Sequence, residues 1–280
     1  MRVAIIGLGS IGQRHARNVQ ALGHTVLPFD VDQTRGQHLA YLPNALDAAM
    51  ICTPVATHAQ VARDLLSIGF QRALFVEKPL APSVADCAVF ETWPHPNVMV
   101  GYNWRWNEDY WALDQVAEEH PAAVRVYRCL TNMAHWPGQH YGDPLLECSH
   151  EIDLALKWLG ETAVVDAADV TEDGALIRLR VGRDRRALVE LRWAVEDDEV
   201  ARDYSLSTDS GSMFFVSPSA TSIEASYVQL VRAFLTPTAT ATRDVWKAVR
   251  VLTVCAEAKA IAYAGEFFRN GAFAHRLVQG

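Results

Sequence analysis

From residue 1 to about residue 100, short apolar runs alternate with stretches of helical periodicity. Short apolar runs bounded by turn residues fit strands buried on both faces, and the helical stretches between them fit the crossovers that join parallel strands. The predicted strands are Val3–Ile6, Thr25–Phe29, Ala49–Cys52, Ala73–Val76 and Val98–Gly101. Helices are predicted at Gly12–Leu22, His58–Ile68 and Ser83–Glu91, and Pro94 and Pro96 punctuate the chain before the fifth strand. Beyond about residue 120 the texture changes. Runs rich in Val, Leu and Arg at Ala123–Leu130, Ala175–Val181, Arg186–Trp193 and Tyr204–Thr208 predict longer strands of an open sheet. A helix over Pro144–Leu159 ends at Gly160, which accepts positive φ without strain, and two more are predicted near Ser222–Phe234 and Arg243–Ala264. The expected class is α/β: an N-terminal doubly wound parallel sheet over residues 1–120, and an α+β domain with an open, mainly antiparallel sheet over residues 121–280.

Length agrees with this division, because 280 residues exceed the usual size of one hydrophobic core. Charge narrows the partners. With 25 basic against 33 acidic residues, the net charge of -8 has the wrong sign for neutralising phosphates along a nucleic acid or for docking on an anionic membrane. The apolar start Met1–Ile6 is interrupted at once by glycines and no long apolar span follows, so it reads as a first strand and the protein as cytoplasmic. Five scattered cysteines with no CxxC pair read as reduced, buried thiols.

The segment Gly7-Leu8-Gly9-Ser10-Ile11-Gly12 follows a predicted strand and opens a predicted helix, the context in which GxGxxG marks a dinucleotide site. The three glycines answer separate demands. Gly7 permits the tight turn, Gly9 lets a pyrophosphate approach the backbone, and Gly12 lets the helix pack closely on its strand. The N–H groups of the first helical turn, at Ser10 and Ile11 among others, then face the phosphates. Asp30 ends the second predicted strand, where a carboxylate accepts hydrogen bonds from the adenosine ribose. That favours NAD. A 2′-phosphate would meet like charge from Asp30 and Asp32, while Arg35 nearby keeps NADP open.

Four further segments, in order, resemble the Gfo/Idh/MocA family of oxidoreductases: Ile51-Cys52-Thr53-Pro54 with His58, Glu77-Lys78-Pro79, Gly101-Tyr102-Asn103-Trp104-Arg105-Trp106, and Ser149-His150-Glu151-Ile152-Asp153. The resemblance implies a Rossmann domain followed by an α/β domain whose open sheet often forms an oligomer interface, hence a homo-oligomer, dimer or tetramer. It implies activity on sugars and cyclitols. It also implies that Thr53 and Pro54 flank the nicotinamide, that His58 and Glu77 belong to the cofactor site, that Lys78 lies beside both cofactor and substrate, and that His150 is an acid/base candidate. Glu147 departs from the commoner pattern, in which an aspartate stands four residues before the histidine, at the position of Leu146 here. A branch with Leu-Leu-Glu-x-Ser-His-Glu-Ile-Asp, associated with nucleotide-sugar or sialic-acid-type pathways, is closer.

The proton bookkeeping is independent of that resemblance. Hydride transfer from a secondary alcohol leaves a proton on oxygen that a group must accept, and a histidine such as His150, whose unperturbed pKa lies near neutrality, can accept it. Lys78 can donate to a carbonyl oxygen and polarise it. Glu147, three residues before His150, falls on the same helical face and can orient the ring. Trp104, Trp106, Trp111 and Trp136 offer flat apolar surfaces of the kind a sugar ring stacks on, with Tyr102 alongside, and Arg105 offers a bidentate donor for a substrate anion or else a structural ion pair. The loop His135-Trp136-Pro137-Gly138-Gln139-His140-Tyr141 is expected to cover the substrate, with His140 and Tyr141 in reach of it. His135, His140 and Glu147 lack tight ligand spacing and hydride transfer needs no metal, so none is expected. Reduction of a non-sugar C=C or C=N bond, as in biliverdin-reductase-like relatives, and a non-catalytic dinucleotide sensor are the alternatives.

Overall fold

The computed structural model describes residues 1–41, 45–119, 124–134, 143–147, 149–171, 174–194, 202–208, 211–236 and 244–264. Trp136, His140 and Tyr141, expected at the substrate, and the expected domain junction at residues 120–121 lie outside the described residues. The chain divides into one unit of Met1–Ala112 with Pro218–Leu252 and another of Leu113–Ser217 with Thr253–Gly280.

The first unit runs β1 (Arg2–Ile6), α1 (Ser10–Ala21), β2 (Thr25–Phe29), β3 (Ala48–Ile51), α2 (His58–Ser67), β4 (Ala73–Val76), α3 (Ala88–Glu91) and β5 (Val98–Val100). Its five strands pair in parallel in the order β2-β1-β3-β4-β5. β3, β4 and β5 are buried at every position, as a parallel sheet covered on both faces requires. β2 is the edge and carries Pro28, which cannot donate to a second neighbour. Strand order reverses between β1 and β3, so the loops following those two strands flank the crevice where doubly wound sheets take ligands. The predicted helix over Ser83–Glu91 is instead a 3-10 turn, Ala85–Cys87, leading into the single turn of α3.

α4 (Trp111–Glu119) carries the first division of the chain. The second unit continues with β6 (Val124–Ala134), α5 (Pro144–Glu147), α6 (Ser149–Leu159), β7 (Val164–Thr171), β8 (Gly174–Val181), β9 (Arg185–Ala194), β10 (Arg202–Thr208) and β11 (Met213–Val216). The sheet order is β11-β10-β6-β9-β8-β7, antiparallel except for the parallel pair β6 and β9. The predicted helix over 144–159 is present as α5 and α6, with Cys148 between them outside the described residues. α6 lies on β9 and β6, and Arg185 caps its end by donating from Nη2 to the Trp158 carbonyl at 3.0 Å.

α7 (Ala220–Leu235) and α8 (Val245–Ala264) complete the chain. The sequence assigns both to the second domain, but α7 and the first part of α8 belong to the first unit. The reason is an apolar stripe: Leu230, Val231, Phe234 and Leu235 join Val3, Ile5, Val19, Met50 and Phe75 in one core. Side-chain contacts reinforce it, with Asn97 Nδ2 donating to the Phe234 carbonyl at 3.2 Å and Arg14 pairing with Glu224 at 2.8 Å. Cys52, Cys87 and Cys255 are buried free thiols. Among the described residues no helix is long and apolar enough to cross a membrane.

Candidate active site

At the end of β1 the chain turns through Gly7, whose φ of +90° is left-handed backbone that favours glycine. Space demands glycine as well, because a Cβ there would stand 2.8 Å from Thr53 Cγ2. Gly12 is tighter still: a Cβ would lie 1.8 Å from the Gly7 carbonyl oxygen. Gly9, the N-cap of α1, is the opposite case, since a Cβ there would meet nothing within 4 Å. Its backbone faces open space, and beside it lie the N–H groups of the first turn of α1, which have no acceptor within the helix. This loop suits a pyrophosphate.

Asp30 stands at the C-terminal end of β2, with Oδ2 accepting the Leu8 N–H at 2.6 Å and Oδ1 accepting the Asp32 N–H at 2.9 Å. The carboxylate is thereby fixed beside the glycine loop, in reach of a ribose bound there. Asp32 accepts the N–H and hydroxyl of Thr34 at 3.0 and 2.7 Å and pairs with Arg35 Nε at 3.2 Å. The Thr34 hydroxyl, then its N–H and the Arg35 charge hold the Asp32 carboxyl below its ordinary value. Arg35 is thus engaged by a carboxylate.

Thr53 and Pro54 follow β3, and the Thr57 hydroxyl lies 2.8 Å from Thr53 Oγ1 and 2.7 Å from the Pro54 carbonyl oxygen. Lys78 follows β4, joined to Pro79 by a cis peptide bond, and is half-buried. Glu77 and His58, expected from the resemblance at the cofactor, both point inward. The Glu77 carboxylate meets His15 Nε2 at 2.6 Å and accepts the Lys78 N–H at 3.0 Å. His58, 1% exposed, sits between the two loops, with Nε2 2.8 Å from the Thr53 carbonyl oxygen and Nδ1 3.1 and 3.3 Å from those of Pro79 and Leu80. His15 carries no signal in the sequence beyond standing in the helix that follows Gly12. Only its long-range contact with Glu77 gives it a place in the site.

Burial pushes the His58 imidazole below its ordinary value of 6.5, against the opposing pull of the Thr53 and Leu80 carbonyls, the Glu77 charge and the Pro79 carbonyl. The unfolded chain then binds more protons between that ordinary value and the lower folded one. Stability contributed by His58 is present above this interval and is lost as pH falls through it. Melting temperatures of the wild type and of His58→Gln, compared from about pH 7 down to about pH 5, are expected to show the steeper loss in the wild type. Parallel curves would refute the assignment.

The aromatic segment after β5 is largely structural. Tyr102 and Trp104 are 2% and 4% exposed, and Trp104 packs on Tyr110 with centroids 6.4 Å apart. Arg105 lies over the Tyr102 ring at 5.6 Å and pairs with Asp244 at 3.6 Å, the structural ion pair rather than a free anion clamp. Asn103 and Asn107 donate to Ser226 and Ser222 at 2.8 and 3.4 Å, and Asp109 accepts from the Ser222 hydroxyl, so this segment is fastened to α7. Trp106 and Trp111 are the exposed indoles here.

In the second unit, α5 and α6 bury Glu147, His150, Glu151 and Asp153, all at most 8% exposed. Buried ionisable groups require partners, and none of the four is without one. Asp143 caps α5 by accepting the Leu145 N–H at 3.1 Å and pairs with Lys259, while Asp114 accepts from both Lys157 and Trp158 at 2.6 Å. These contacts fix the helix that presents His150.

Comparison with known proteins agrees with this architecture. Residues 1–100 match the model of the Gfo/Idh/MocA family, described as an oxidoreductase family with an NAD-binding Rossmann fold. A myo-inositol 2-dehydrogenase from Thermotoga maritima is 24% identical over 204 residues, covering 63% of this chain and 59% of that protein. An inositol 2-dehydrogenase from Acidothermus cellulolyticus is 26% identical over 238 residues, covering 68% of this chain and 66% of that protein. The chain thus spans less than two thirds of the length of these two relatives. The fold extends further than the sequence similarity: GenD2 from gentamicin A biosynthesis, solved in complex with NAD, superposes with a TM-score of 0.79 at 17% identity over 95% of each chain. Residues 1–100 are thus similar to the NAD-binding Rossmann domain of the Gfo/Idh/MocA oxidoreductases.

Proposed function

We propose that the protein is an NAD(H)-dependent oxidoreductase that moves a hydride between the nicotinamide and a carbinol or carbonyl carbon of a cyclitol, sugar or nucleotide sugar. The observation that carries this reading is the cradle formed by Gly7, Gly9 and Gly12 with Asp30 fixed beside it and Arg35 tied to Asp32. NAD supplies a two-electron acceptor when bound. The substrate class is supported by the inositol dehydrogenases among the relatives.

In the oxidative direction the carbinol C–H bond breaks with its electron pair going to the cofactor, and the hydroxyl proton goes to His150. Lys78 donates a hydrogen bond to the reacting oxygen and stabilises the charge that builds there. Glu147 orients or tunes His150 from the preceding turn.

Turnover with NAD+ and NADP+ across cyclitols, free sugars and nucleotide sugars tests the proposal. The expected result is NADH formation with at least one polyol and a preference for NAD+ over NADP+. NADH binding with no consumption across the panel would replace the enzyme by a sensor. For assembly, Met213 and Phe215 are 58% and 69% exposed on the edge strand β11, a surface that pairing between copies would cover. Light scattering on the purified protein is expected to give a dimer or tetramer, and a monomer mass would overturn that part.

A further inference from the structure

Behind Lys78 lies a buried polar group for which the proposed reaction has no direct use. His15 is on α1, the helix whose first turn faces the pyrophosphate site, and it is fully buried. The Phe75 and Tyr227 rings wall it at centroid distances of 5.1 and 5.9 Å. Its Nε2 meets Glu77 Oε1 at 2.6 Å, and Glu77 Oε2 accepts the main-chain N–H of Lys78 at 3.0 Å. The carboxylate also rests against Gly101, where a Cβ would come within 2.9 to 3.0 Å of its atoms. His15 Nδ1 has no hydrogen-bond partner among the described residues, so Glu77 is the ring's hydrogen-bond partner there.

A buried histidine–carboxylate pair is a poor device for stability, since apolar residues of similar volume fill such a space at less desolvation cost. What the pair does provide is direction. We propose that His15 is a positioning residue for Lys78: it fixes the Glu77 carboxylate, which fixes the Lys78 main chain, so the helix that seats the dinucleotide also sets where the lysine starts. This rests on the role given to Lys78 above. Gly101 belongs to the same device because it leaves room for the carboxylate.

The test compares His15→Leu, which keeps bulk and removes the donor, His15→Gln, which keeps an N–H donor, and Gly101→Ala, which crowds the carboxylate and removes no group. Hydrogen exchange at the Lys78 amide, NADH affinity by fluorescence, and kcat and KM are measured on each folded protein. His15→Leu and Gly101→Ala are expected to speed Lys78 amide exchange and to lower kcat about tenfold or more, with NADH affinity changed no more than about twofold, because a misplaced reacting group slows chemistry without touching the cofactor contacts. His15→Gln is expected to restore most of both. Equal impairment in His15→Gln and His15→Leu, or wild-type exchange and kcat in His15→Leu and Gly101→Ala, would overturn the proposal. If His15→Leu does not fold, Gly101→Ala decides alone. Absence of turnover in the wild type counts against the proposed function, whereas unchanged Lys78 amide exchange counts against the relay.

Discussion

Replacing Gly12 by alanine is expected to abolish dinucleotide binding and to destabilise the first unit on the order of 3 kcal/mol, the scale of a severe overpacking change. The added Cβ would stand 1.8 Å from the Gly7 carbonyl oxygen, and Gly7 cannot retreat. Its N–H donates to the Phe29 carbonyl at 2.8 Å, and its own Cβ position is already closed by Thr53 and Cys52. Relief would require α1 to lift from β1, which moves the helix N-terminus away from the phosphates. Gly9→Ala is the informative contrast, because the added carbon meets no protein atom within 4 Å. That variant is expected to melt near the wild-type temperature and still lose NADH affinity, since the methyl stands where the pyrophosphate approaches. Fluorescence titration with NADH and thermal melts of both variants settle the point; wild-type affinity in either would displace the cofactor from this loop.

Lys78→Ala and His150→Asn are expected to lower kcat by roughly 10²- to 10⁴-fold each, the usual range for a positioned proton-transfer group. Cofactor affinity is expected to survive in both, because the glycine loop and Asp30 hold the dinucleotide without them. The pH profile separates the two roles: loss of the acid limb of kcat/KM in His150→Asn identifies the group that must be unprotonated for alcohol oxidation. Should His150→Asn retain wild-type turnover and limb, the base lies elsewhere, and Glu147→Gln is the next variant to measure.

The parallel sheet was legible because its strands are short, continuous apolar runs, and such runs leave little choice but burial on both faces. β7 was not, since Asp166 and Asp169 interrupt its apolar residues, with Asp166 pairing with Arg178 at 2.7 Å across to β8. β11 is too short to stand out, and its placement depends on pairing with β10. The glycine loop could be read from spacing because each glycine answers a local steric demand. The inward turn of Glu77 and His58 could not, because it depends on contacts with His15 and Pro79, 62 and 21 residues away in sequence. The burial of Tyr102 and Trp104 was not legible for a related reason: an aromatic-rich segment reads the same whether its rings are exposed or packed, and the packing depends on α7, where Asn103 reaches Ser226.

The placement of α7 bears on how the chain is made. A ribosome releases the five strands of the first sheet early, yet Val19, Met50 and Phe75 remain without the apolar stripe that covers them until Leu230 through Leu235 have emerged. The intervening segment must form its own sheet while that surface waits. The nascent nucleotide-binding domain is therefore an incomplete body through most of translation. A ribosome stalled before residue 220 is expected to present it in a protease-sensitive form that gains no protection from NAD.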